Sequence, residues 1–329
     1  MKKKIGFTYN LKSDWQHSPN DPVDAAAELD KEATIRHVEE ALGDGGHAVK
    51  RIGNAFSLLS QIKNLDVDIV LNICEGLRGR NRESEVPVIL EMFGIPFIGS
   101  DGLTLGITLD KLASKKSFFA EGIPTPRYFQ AKPGNNLENL NTIGFPLFVK
   151  ASREGTSKGI TKASLVRTPK ELKEQVDIVH MLYKQPALVE EFISGTEFTV
   201  LVIGNENPEP MPVIQYMMNN TLELGDRFYT SKDVVEKSVG CICPTDIPKS
   251  LEKKLKDVSV AVYEAVDCRD FGRVDFRVDT EGNPYVLEIN PLPNLGPEDV
   301  FGTFPQAAGL TYAQAINKIV DVALKRYGM

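Results

Sequence analysis

The sequence predicts an α/β fold that is followed by an α+β fold. Strand and helix patterns alternate in regular order up to residue 103, and a mixed pattern with glycine-rich and proline-rich turns then replaces the alternation. From residue 190 onward the chain is richer in strand patterns. We therefore expect an N-terminal parallel α/β domain (1–103), a small central α+β subdomain (104–189) and a C-terminal subdomain (190–329).

The N-terminal part has the pattern of a parallel sheet. Its strand patterns are IGFTY, HAVKRIG, DVDIVLNIC and IPFIGS, and its helix patterns are ELDKEATIRHVEEALGDGG and EVPVILEMFG. Strands that alternate with helices predict parallel pairing with right-handed crossovers. Ligands of such sheets bind beyond the carboxyl ends of the strands, where this chain has the polar loops 9–27 and 74–85.

The remaining elements follow in a less regular order. One helix, TLGITLDKLASKKSFFAEG, precedes the strands FPLFVK, ITKASLV and ALVEEFI. The helix before the last of these strands has Thr168 as its N-cap and Pro169 in its first turn. The C-terminal part offers the strands EFTVLVIG, PVIQYMM and SVGCICP, a helix over KSLEKKLKDVSVAVYEAV, a hairpin and a final amphipathic helix.

Composition excludes several classes of function. The chain has 329 residues and a formal net charge of −7, so we expect no nucleic-acid or membrane partner. No apolar run approaches the ~20 residues of a membrane span, and the N-terminal apolar run is too short for a signal peptide, which indicates a cytoplasmic protein. The four cysteines and four histidines lack zinc-site spacing, so reduced thiols are expected.

The segment FGRVDFRVDTEGNPYVLEIN (271–290) predicts a β-hairpin with two acids on one face. A two-residue loop at Glu281–Gly282 would place Asp275 opposite Glu288 and Arg273 opposite Asn290. The opposite, apolar face would consist of Val274, Phe276, Val278, Tyr285, Leu287 and Ile289.

The opposed acids predict a metal site. Side chains at directly opposed positions have Cβ atoms about 4.5–5.5 Å apart, so two carboxylates there repel unless a positive group lies between them. A hard divalent cation is the natural candidate, and magnesium takes substrate phosphates as further ligands, which points to a nucleotide. The alternative is an exposed edge hairpin that is charged only for solubility.

The segment PLFVKASREGTSKGI (146–160) offers groups that could face phosphates. Lys150 ends a strand, and the loop that begins at Gly155 contains the hydroxyls of Thr156 and Ser157. Such a loop can present successive backbone N–H groups to phosphate oxygens, although it is not a Walker A loop. The alternative is an ordinary hairpin turn.

Four segments, taken in order, resemble the ATP-grasp fold and more closely its D-alanine–D-alanine ligase branch. They are TLDK, PLFVKASREGTSKGI, LVEEFISGTEFTVLVIG and GRVDFRVDTEGNPYVLEINPLPN, and the resemblance covers most of residues 100–329. It implies a two-part ATP-grasp fold after the α/β domain. It also implies an ATP-dependent carboxylate–amine ligase that joins amino acids through an acyl phosphate, releases ADP and phosphate, and forms a homodimer.

The resemblance further implies roles for individual residues. ATP would be bound by Lys111, Lys150, Gly155, Thr156, Ser157, Glu190, Glu191, Ile193 and Glu197. In that set Glu190 would meet the adenine amino group and Glu197 the ribose, although both acids also fit a solvated strand and turn. Two Mg²⁺ ions, with Mn²⁺ as an alternative, would be bound by Asp275, Glu288 and Asn290. The catalytic residues would be Arg273 at the oxyanion, Lys232 at the γ-phosphate and Glu28 near the substrates.

The departures from the family all concern the amino-acid substrates. NLGPEDVFGTF has no serine where the family has one, NICEGLRGRNRESEVP replaces HGxxGEDG, and Asp233 stands in place of a tyrosine. The substrates therefore stay open between D-alanine and other amino acids. Arg78, Arg80 and Arg82 fit either a substrate with an additional acid group or a solvated basic loop. A small-molecule kinase and a nucleotide-binding module without catalysis are the alternative functions.

Overall fold

The computed structural model describes residues 2–137, 142–236 and 238–329. Within these residues three β-sheets are flanked by helices, which confirms an α/β part followed by α+β parts. The strands are β1 (Lys4–Thr8), β2 (Ala48–Gly53), β3 (Ile69–Asn72), β4 (Phe97–Ile98), β5 (Tyr128–Ala131), β6 (Leu147–Ala151), β7 (Leu165–Val166), β8 (Ala187–Glu191), β9 (Gly195–Ile203), β10 (Glu209–Pro210), β11 (Ile214–Met218), β12 (Val239–Ile242), β13 (Phe271–Asp279) and β14 (Pro284–Asn290). The helices are α1 (Glu32–Asp44), α2 (Ala55–Gln61), α3 (Glu85–Met92), α4 (Gly102–Leu109), α5 (Lys111–Ala120), α6 (Pro169–Tyr183), α7 (Ser231–Val235), α8 (Lys249–Ala265), α9 (Val300–Ala307) and α10 (Tyr312–Arg326).

The N-terminal sheet is parallel, as predicted, with the order β2-β1-β3-β4. Helices α1 and α10 pack on it through buried apolar side chains such as Ile35 and Ile316, against Ile5 and Leu71 of the sheet. The chain order reverses between β1 and β3, and open α/β sheets bind ligands beyond the carboxyl ends of strands at such a point. The loops that follow β1 and β3 therefore lie at the edge of the sheet where folds of this kind bind ligands.

The middle sheet is antiparallel, with the order β5-β8-β6-β7. Helix α6 covers it, with Leu172 and Val176 in the same core as Val149 of β6. The Thr168 hydroxyl accepts a hydrogen bond from the Glu171 N–H at 3.2 Å, which confirms the predicted N-cap. Only Leu165–Val166 of the expected strand ITKASLV pairs in the sheet.

The C-terminal sheet has the main order β12-β11-β9-β13-β14, and β10 pairs with the edge of β9. Strand β13 pairs with β9 along its whole length. Leu201 of β9 and Phe271 of β13 belong to the same hydrophobic core as Ile5 and Phe7 of the N-terminal sheet. The N-terminal and C-terminal sheets are therefore joined by a continuous apolar contact.

Two helices replace the single helix predicted after residue 103. Asp110 breaks the helix with φ −87° and ψ 92°, and its carboxylate accepts a hydrogen bond from the Ala113 N–H at 3.4 Å. Aspartate is a favoured N-cap residue, so it ends α4 and starts α5 within an otherwise helical pattern. The break also lets the Lys111 N–H donate to the Ser152 carbonyl at 2.9 Å, which brings α5 to the end of β6.

Two general expectations can be compared with the described residues. None of the helices formed by 2–137, 142–236 and 238–329 is both long and apolar enough to cross a membrane. Cys74, Cys241, Cys243 and Cys268 are free thiols, as the sequence predicts.

Candidate active site

Three cavities surround the predicted site residues. The slot cavity, of about 130 Å³, lies between the middle and C-terminal sheets and is lined by Phe148, Lys150, Glu190, Phe192, Glu197 and Leu287 among others. The central cavity, of about 510 Å³, lies between the loops of the N-terminal sheet and the β13–β14 hairpin and is lined by Glu75, Glu83, Arg273, Asn290 and Glu298 among others. The arginine cavity, of about 520 Å³, is lined by Trp15, Arg78, Arg80, Arg82 and Arg153 among others. Lys111, Asp275 and Glu288 line both the slot and the central cavity, so these two cavities meet at the hairpin.

Strands β13 and β14 form the predicted hairpin. Arg273 lies opposite Asn290, and Asp275 lies opposite Glu288, which confirms the register expected for these pairs. The loop is different: the Asp279 N–H donates to the Asn283 carbonyl at 3.1 Å, so residues 280–282 form the loop instead of the expected pair Glu281–Gly282. Gly282 takes φ 80°, and a glycine in the left-handed region is typical of a three-residue hairpin loop.

A β-bulge accounts for the different loop. The register shifts by one residue after Asp275. Val286 and Ile289 both pack in the core, while Leu287 and Glu288 both line the slot cavity. The expectation that Tyr285 and Leu287 share the apolar face with Ile289 is therefore wrong, because a bulge places two consecutive residues against one on the partner strand.

Each of the two opposed acids has its own cationic partner in the chain. Arg273 Nε and Nη2 donate to Asp275 Oδ1 and Oδ2 at 3.0 and 2.8 Å, and the Thr199 hydroxyl donates to Oδ1 at 2.6 Å. Lys111 Nζ lies 2.9 Å from Glu288 Oε2. The sequence argument that a divalent cation must separate these acids is thus incomplete, because Arg273 and Lys111 supply positive charge there.

The two acids differ in pKa as a result. Burial raises the pKa of Asp275, the Arg273 guanidinium opposes the rise, and the Glu288 carboxylate adds to it. Burial would also raise the pKa of Glu288, but Lys111 and then Lys150 outweigh it and hold this pKa at about 2. Glu288 is therefore an anion throughout the neutral range.

The oxygens around the hairpin fit magnesium. Asp275, Glu288 and Asn290 all line the central cavity, and their oxygens are the hard donors that Mg²⁺ prefers. Asn290 Oδ1 also accepts a hydrogen bond from the Leu292 N–H at 2.8 Å, which orients the side chain. Within the described part of the chain no three acidic, histidine or cysteine side chains form a metal cage, so bound ligands would have to supply further oxygens.

The slot cavity collects most of the residues predicted to bind a nucleotide. Those that line it are Lys111, Lys150, Gly155, Ser157, Glu190, Glu191, Ile193 and Glu197. Thr156 lines the central cavity instead. The walls also include Phe148, Phe192 and Phe228, whose ring centroids lie 4.9 to 6.1 Å apart. Three aromatic rings around a narrow cavity can pack against a flat base, and no motif in the sequence indicates this grouping.

Glu190 is held between two lysines. Its Oε1 lies 2.5 Å from Lys115 Nζ and its Oε2 lies 2.6 Å from Lys150 Nζ. Burial opposes the charge of Glu190, but the two lysines lower its pKa. Lys115 was not predicted from the sequence, although it lies one helical turn after Lys111 on the same face of α5, a spacing that could have indicated it.

Glu197 and Arg277 form a second buried pair. Arg277 Nη1 donates to Glu197 Oε1 at 2.9 Å, and its Nε donates to the Ile193 carbonyl at 3.0 Å. Arg277 thereby ties β13 to the segment that joins β8 to β9. This segment contains Ile193, which the resemblance implies for ATP binding.

The glycine-rich loop has a strained backbone. Thr156 and Ser157 take φ values of 47° and 55°, and the Lys158 N–H donates to the Gly155 carbonyl at 2.9 Å. Consecutive left-handed residues are uncommon without glycine, and for a β-branched threonine they are an outlier. Strain of this kind is concentrated at functional loops, which is consistent with a ligand-binding role.

Glu28 holds that loop to the N-terminal part. It accepts hydrogen bonds from the Gly155 N–H, from Lys158 Nζ at 3.1 Å and from Arg82 Nη2 at 3.0 and 3.1 Å. Burial opposes its charge, but Arg82 and Lys158 lower its pKa. Glu154 Oε2 lies 3.8 Å from Arg82 Nη2 and also pairs with Lys158.

The remaining candidates lie apart from this cluster. Lys232 is exposed on α7, pairs with Glu236 at 3.5 Å and does not line any of the three cavities. Arg80 pairs with Asp110 at 3.2 Å, and Arg78 lies over the Trp15 ring at 5.4 Å. Arg78, Arg80 and Arg82 line the arginine cavity, and Arg82 is already paired with the buried Glu28, so an additional acid group on the substrate stays a prediction.

Known proteins resemble the chain along most of its length. A family profile described as "D-ala D-ala ligase C-terminus" matches residues 119–321. A D-alanine--D-alanine ligase of Pelotomaculum thermopropionicum is 30% identical over 301 residues, which cover 89% of this chain and 91% of that protein. A protein of Sinorhizobium fredii named "Uncharacterized protein y4sG" is 37% identical over 264 residues, 79% of this chain and 75% of that protein.

A solved structure has the same fold as this chain. The D-alanine--D-alanine ligase from Bacillus anthracis complexed with ATP superimposes with a TM-score of 0.76 at 25% identity. The match covers 99% of this chain and 99% of that one. All of the elements described above are therefore within the range of the comparison.

Proposed function

The chain belongs to the D-alanine–D-alanine ligase family of ATP-dependent carbon–nitrogen ligases, and we propose that it joins two amino acids through an acyl-phosphate intermediate. The γ-phosphate of ATP would pass to the carboxylate of the first substrate, and the amine of the second would then displace phosphate. The observation that carries the proposal is the meeting of the slot and central cavities at Lys111, Asp275 and Glu288. One wall would thus face both a nucleotide and a second ligand.

We assign ATP to the slot cavity. The base would lie against Phe148, Phe192 and Phe228, next to the backbone of Ile193. The phosphates would lie toward the end of the slot where Lys111, Lys150 and the glycine-rich loop are found. Besides Ile193, the residues proposed to contact ATP are Lys111, Lys150, Gly155, Thr156, Ser157, Glu190, Glu191 and Glu197.

In this arrangement the ion pairs have a positioning role. Glu190 holds Lys150 and Lys115, and Glu288 holds Lys111, so the ammonium groups are oriented before a phosphate arrives. Preorganised charges stabilise a transition state without reorganisation during the reaction. Arg273, fixed by Asp275, would stabilise the negative charge that develops on the substrate carbonyl.

Asp275, Glu288 and Asn290 would hold magnesium, and we propose two ions, with Mn²⁺ as an alternative metal. Bound Mg²⁺ neutralises phosphate charge and acts as a Lewis acid. Lys232 would reach the γ-phosphate only if the segment around α7 moves toward the slot, since its side chain is exposed. Water must be kept from an acyl phosphate, and loop closure is a common means of excluding it.

We assign the amino-acid substrates to the central cavity, with Glu28 at its edge. We also propose a cytoplasmic homodimer and a three-part domain division at 1–103, 104–189 and 190–329. The second boundary falls inside β8, so the segment 192–194 between β8 and β9 is the better place for it.

The test is the release of ADP from MgATP with a panel of carboxylate and amine substrates. We expect release to require both an acid and an amine, and mass spectrometry to find a product lighter by one water than the sum of the two. A stable phosphorylated product formed without an amine would show a kinase instead. ATP hydrolysis that is indifferent to every amino acid would contradict the ligase assignment.

A further inference from the structure

The arginine cavity is assigned to neither ATP nor the amino acids, and its wall has more cations than acids. Six cationic side chains line it, against three carboxylates. The cations are Arg78, Arg80, Arg82, Arg153, Lys158 and Lys184, and the acids are Asp21, Glu28 and Glu154. An arginine keeps its charge at every physiological pH, so titration does not remove the excess.

Four of these groups neutralise one another at one side of the cavity. Arg82 Nη2 and Lys158 Nζ lie 3.0 and 3.1 Å from Glu28 Oε2, and both cations also pair with Glu154. The Gln185 amide donates to Glu154 Oε1 at 2.7 Å. Glu28 also lines the central cavity, and Glu154 and Lys158 also line the slot cavity. This balanced group of four charges therefore lies between the arginine cavity and the other two.

The remaining cations are less well matched. In the part of the chain that the structure describes, the Arg153 guanidinium and the Lys184 ammonium have neither a hydrogen-bond acceptor nor an acid partner, although Arg153 is partly buried. Arg78 comes only within 4.0 Å of Asp21. Arg80 has its partner outside this wall, as described above. The unmatched positive charge is therefore centred on Arg153 and Lys184.

Trp15 adds a donor without an acceptor. Its indole lines the arginine cavity, and its Nε1 is buried and has no hydrogen-bond partner among the described residues. The Arg78 guanidinium lies over the same ring. A buried N–H without an acceptor is costly, and an oxygen with negative charge would satisfy both this donor and the unmatched cations.

Lys184 occupies its position at a conformational cost. It ends α6 in the left-handed region, with φ 52° and ψ 39°, where helices commonly have glycine or asparagine. Strain of this kind is concentrated at functional positions. The side chain that this backbone carries lines the arginine cavity.

The size and lining of the arginine cavity favour a ligand larger than an inorganic ion. Its volume of about 520 Å³ lies within the range of about 300–1,000 Å³ that is typical of small-molecule sites. The wall also includes the apolar side chains of Pro22, Ala25, Leu77 and Leu182. A bare phosphate would leave these side chains uncovered.

We propose that the arginine cavity is a third ligand site, which binds a carboxylate or phosphate that carries an aromatic or aliphatic body. Arg153, Lys184 and Arg78 would bind the anionic group, and Trp15 and Leu182 would contact the body. Either a free molecule or an acidic extension of an amino-acid substrate supplies this chemistry. Only the second source rests on the proposed function.

Trp15 provides the test, because it is the single tryptophan of the chain and lines the arginine cavity but neither of the other two. Its fluorescence is measured during titration with three anions, each matched to an uncharged partner, at constant ionic strength and with saturating MgADP. The pairs are phenylacetate and phenylacetamide, hexanoate and hexanamide, and phenyl phosphate and its dimethyl ester.

We expect at least one anion to change the fluorescence saturably, with a Kd about tenfold or more below that of its uncharged partner. Calorimetry on the same pair should give the same Kd. Equal affinity within every pair, or calorimetric binding that leaves Trp15 unaffected, would overturn the inference.

Variants separate recognition from folding. Arg153→Gln and Lys184→Gln should each reduce the preference of the best pair to about threefold or less and leave the affinity for ADP unchanged. Arg167→Gln and Lys170→Gln, at exposed positions outside the cavity, are the matched controls and should keep the full preference. Thermal denaturation checks folding, and either test variant that is folded and keeps the preference contradicts the proposal.

Competition identifies the source of the anion. If glutamate, in either enantiomer, displaces the probe and glutamine does not, the anion is an extension of the substrate. If neither displaces it, the anion is a free molecule. Displacement by both would place the probe in an amino-acid site and overturn the inference. Failure of every amino-acid pair to release ADP would overturn the ligase alone, because these binding measurements require no turnover.

Discussion

At the hairpin, single residues determine how two like charges can lie side by side. Asp275 is neutralised by Arg273, and Glu288 by Lys111, and the two cations come from different elements. The acids are thus compatible with the folded chain before any ligand binds. A magnesium ion would have to compete with these cations for the carboxylate oxygens, so its binding would be coupled to a rearrangement of Lys111 or Arg273.

We predict that Glu288→Gln lowers kcat by at least about a hundredfold, because it removes the charge of a proposed metal ligand and the partner of Lys111. The fold should persist, since the change also relieves repulsion with Asp275. Steady-state ADP release and thermal denaturation are the measurements. Glu281→Gln, in the exposed loop of the same hairpin, should be as active as the parent protein, and normal activity of Glu288→Gln with magnesium would refute the metal assignment.

Asp30 should make stability depend on pH. Burial, reinforced by Glu298 and opposed by Lys12, raises its pKa in the folded protein to about 7 from an ordinary value of 3.8. Between these pH values the unfolded chain has released the proton and the folded chain retains it, so the free energy of unfolding falls as pH rises from about 4 to about 7.

We predict that Asp30→Asn removes this loss, so that the variant is more stable than the parent protein at pH 8 and differs little at pH 4. Urea unfolding at both pH values measures the difference. Asp257→Asn, at an exposed position of α8, is the control and should show no such pH dependence. An equal effect of Asp30→Asn at both pH values would argue against a shifted pKa.

At the scale of elements, the conformation of the loop between β3 and α3 depends on the glycine at position 76. Gly76 has φ 69°, and a Cβ at this position would lie 2.5 Å from the carbonyl oxygen of Arg82. A side chain would therefore push the turn away from Glu28 and displace Glu83 from the cavity wall.

We predict that Gly76→Ala destabilises the protein by about 2 kcal/mol and weakens substrate binding, because it combines an unfavourable φ with a backbone clash. Gly79→Ala is the matched control: its φ is 99° but nothing lies within 4 Å of the added Cβ, so only the conformational cost applies. Urea unfolding and substrate KM are measured for both. If the two variants behave alike, the close approach to Arg82 has no role.

At the scale of the whole molecule, the proposed nucleotide site bridges two sheets. The slot cavity takes Phe148 and Lys150 from the middle sheet and Asp275 and Glu288 from the C-terminal sheet. A ligand there would contact both sheets and stabilise their mutual arrangement. The N-terminal and C-terminal sheets are already joined by a shared core, so the middle sheet is the part that a nucleotide would fix.

We predict that MgATP raises the free energy of unfolding by about 2.7 kcal/mol at a hundred times its Kd, as expected for a ligand that binds only the folded state. Removing the metal with a chelator should abolish most of this gain, because the phosphates would then approach Asp275 and Glu288 without the charge of the metal ion between them. Thermal denaturation with ATP alone, Mg²⁺ alone and both together measures the effect. A gain that persists with the chelator would show that the acids do not hold the metal.

The sequence alone was sufficient for the fold class and for the opposed pair Asp275 and Glu288. These features depend on local periodicity, on short turns and on one hairpin, so residues close in sequence determine them. Two predictions were wrong for local reasons. The face of Leu287 was wrong because of a bulge, and the single helix after residue 103 was wrong because of a break at Asp110. Each of these features depends on one residue within an otherwise regular pattern.

Only the tertiary structure determined which charged side chains form ion pairs with one another. Arg82 meets Glu28 across 54 positions of the chain, and Lys115 meets Glu190 across the interface of α5 and β8. No spacing in the sequence specifies such pairs, because they arise where separate elements pack together. The same packing brings Glu75 and Glu83 into the wall of the central cavity, where burial raises the pKa of both carboxyls.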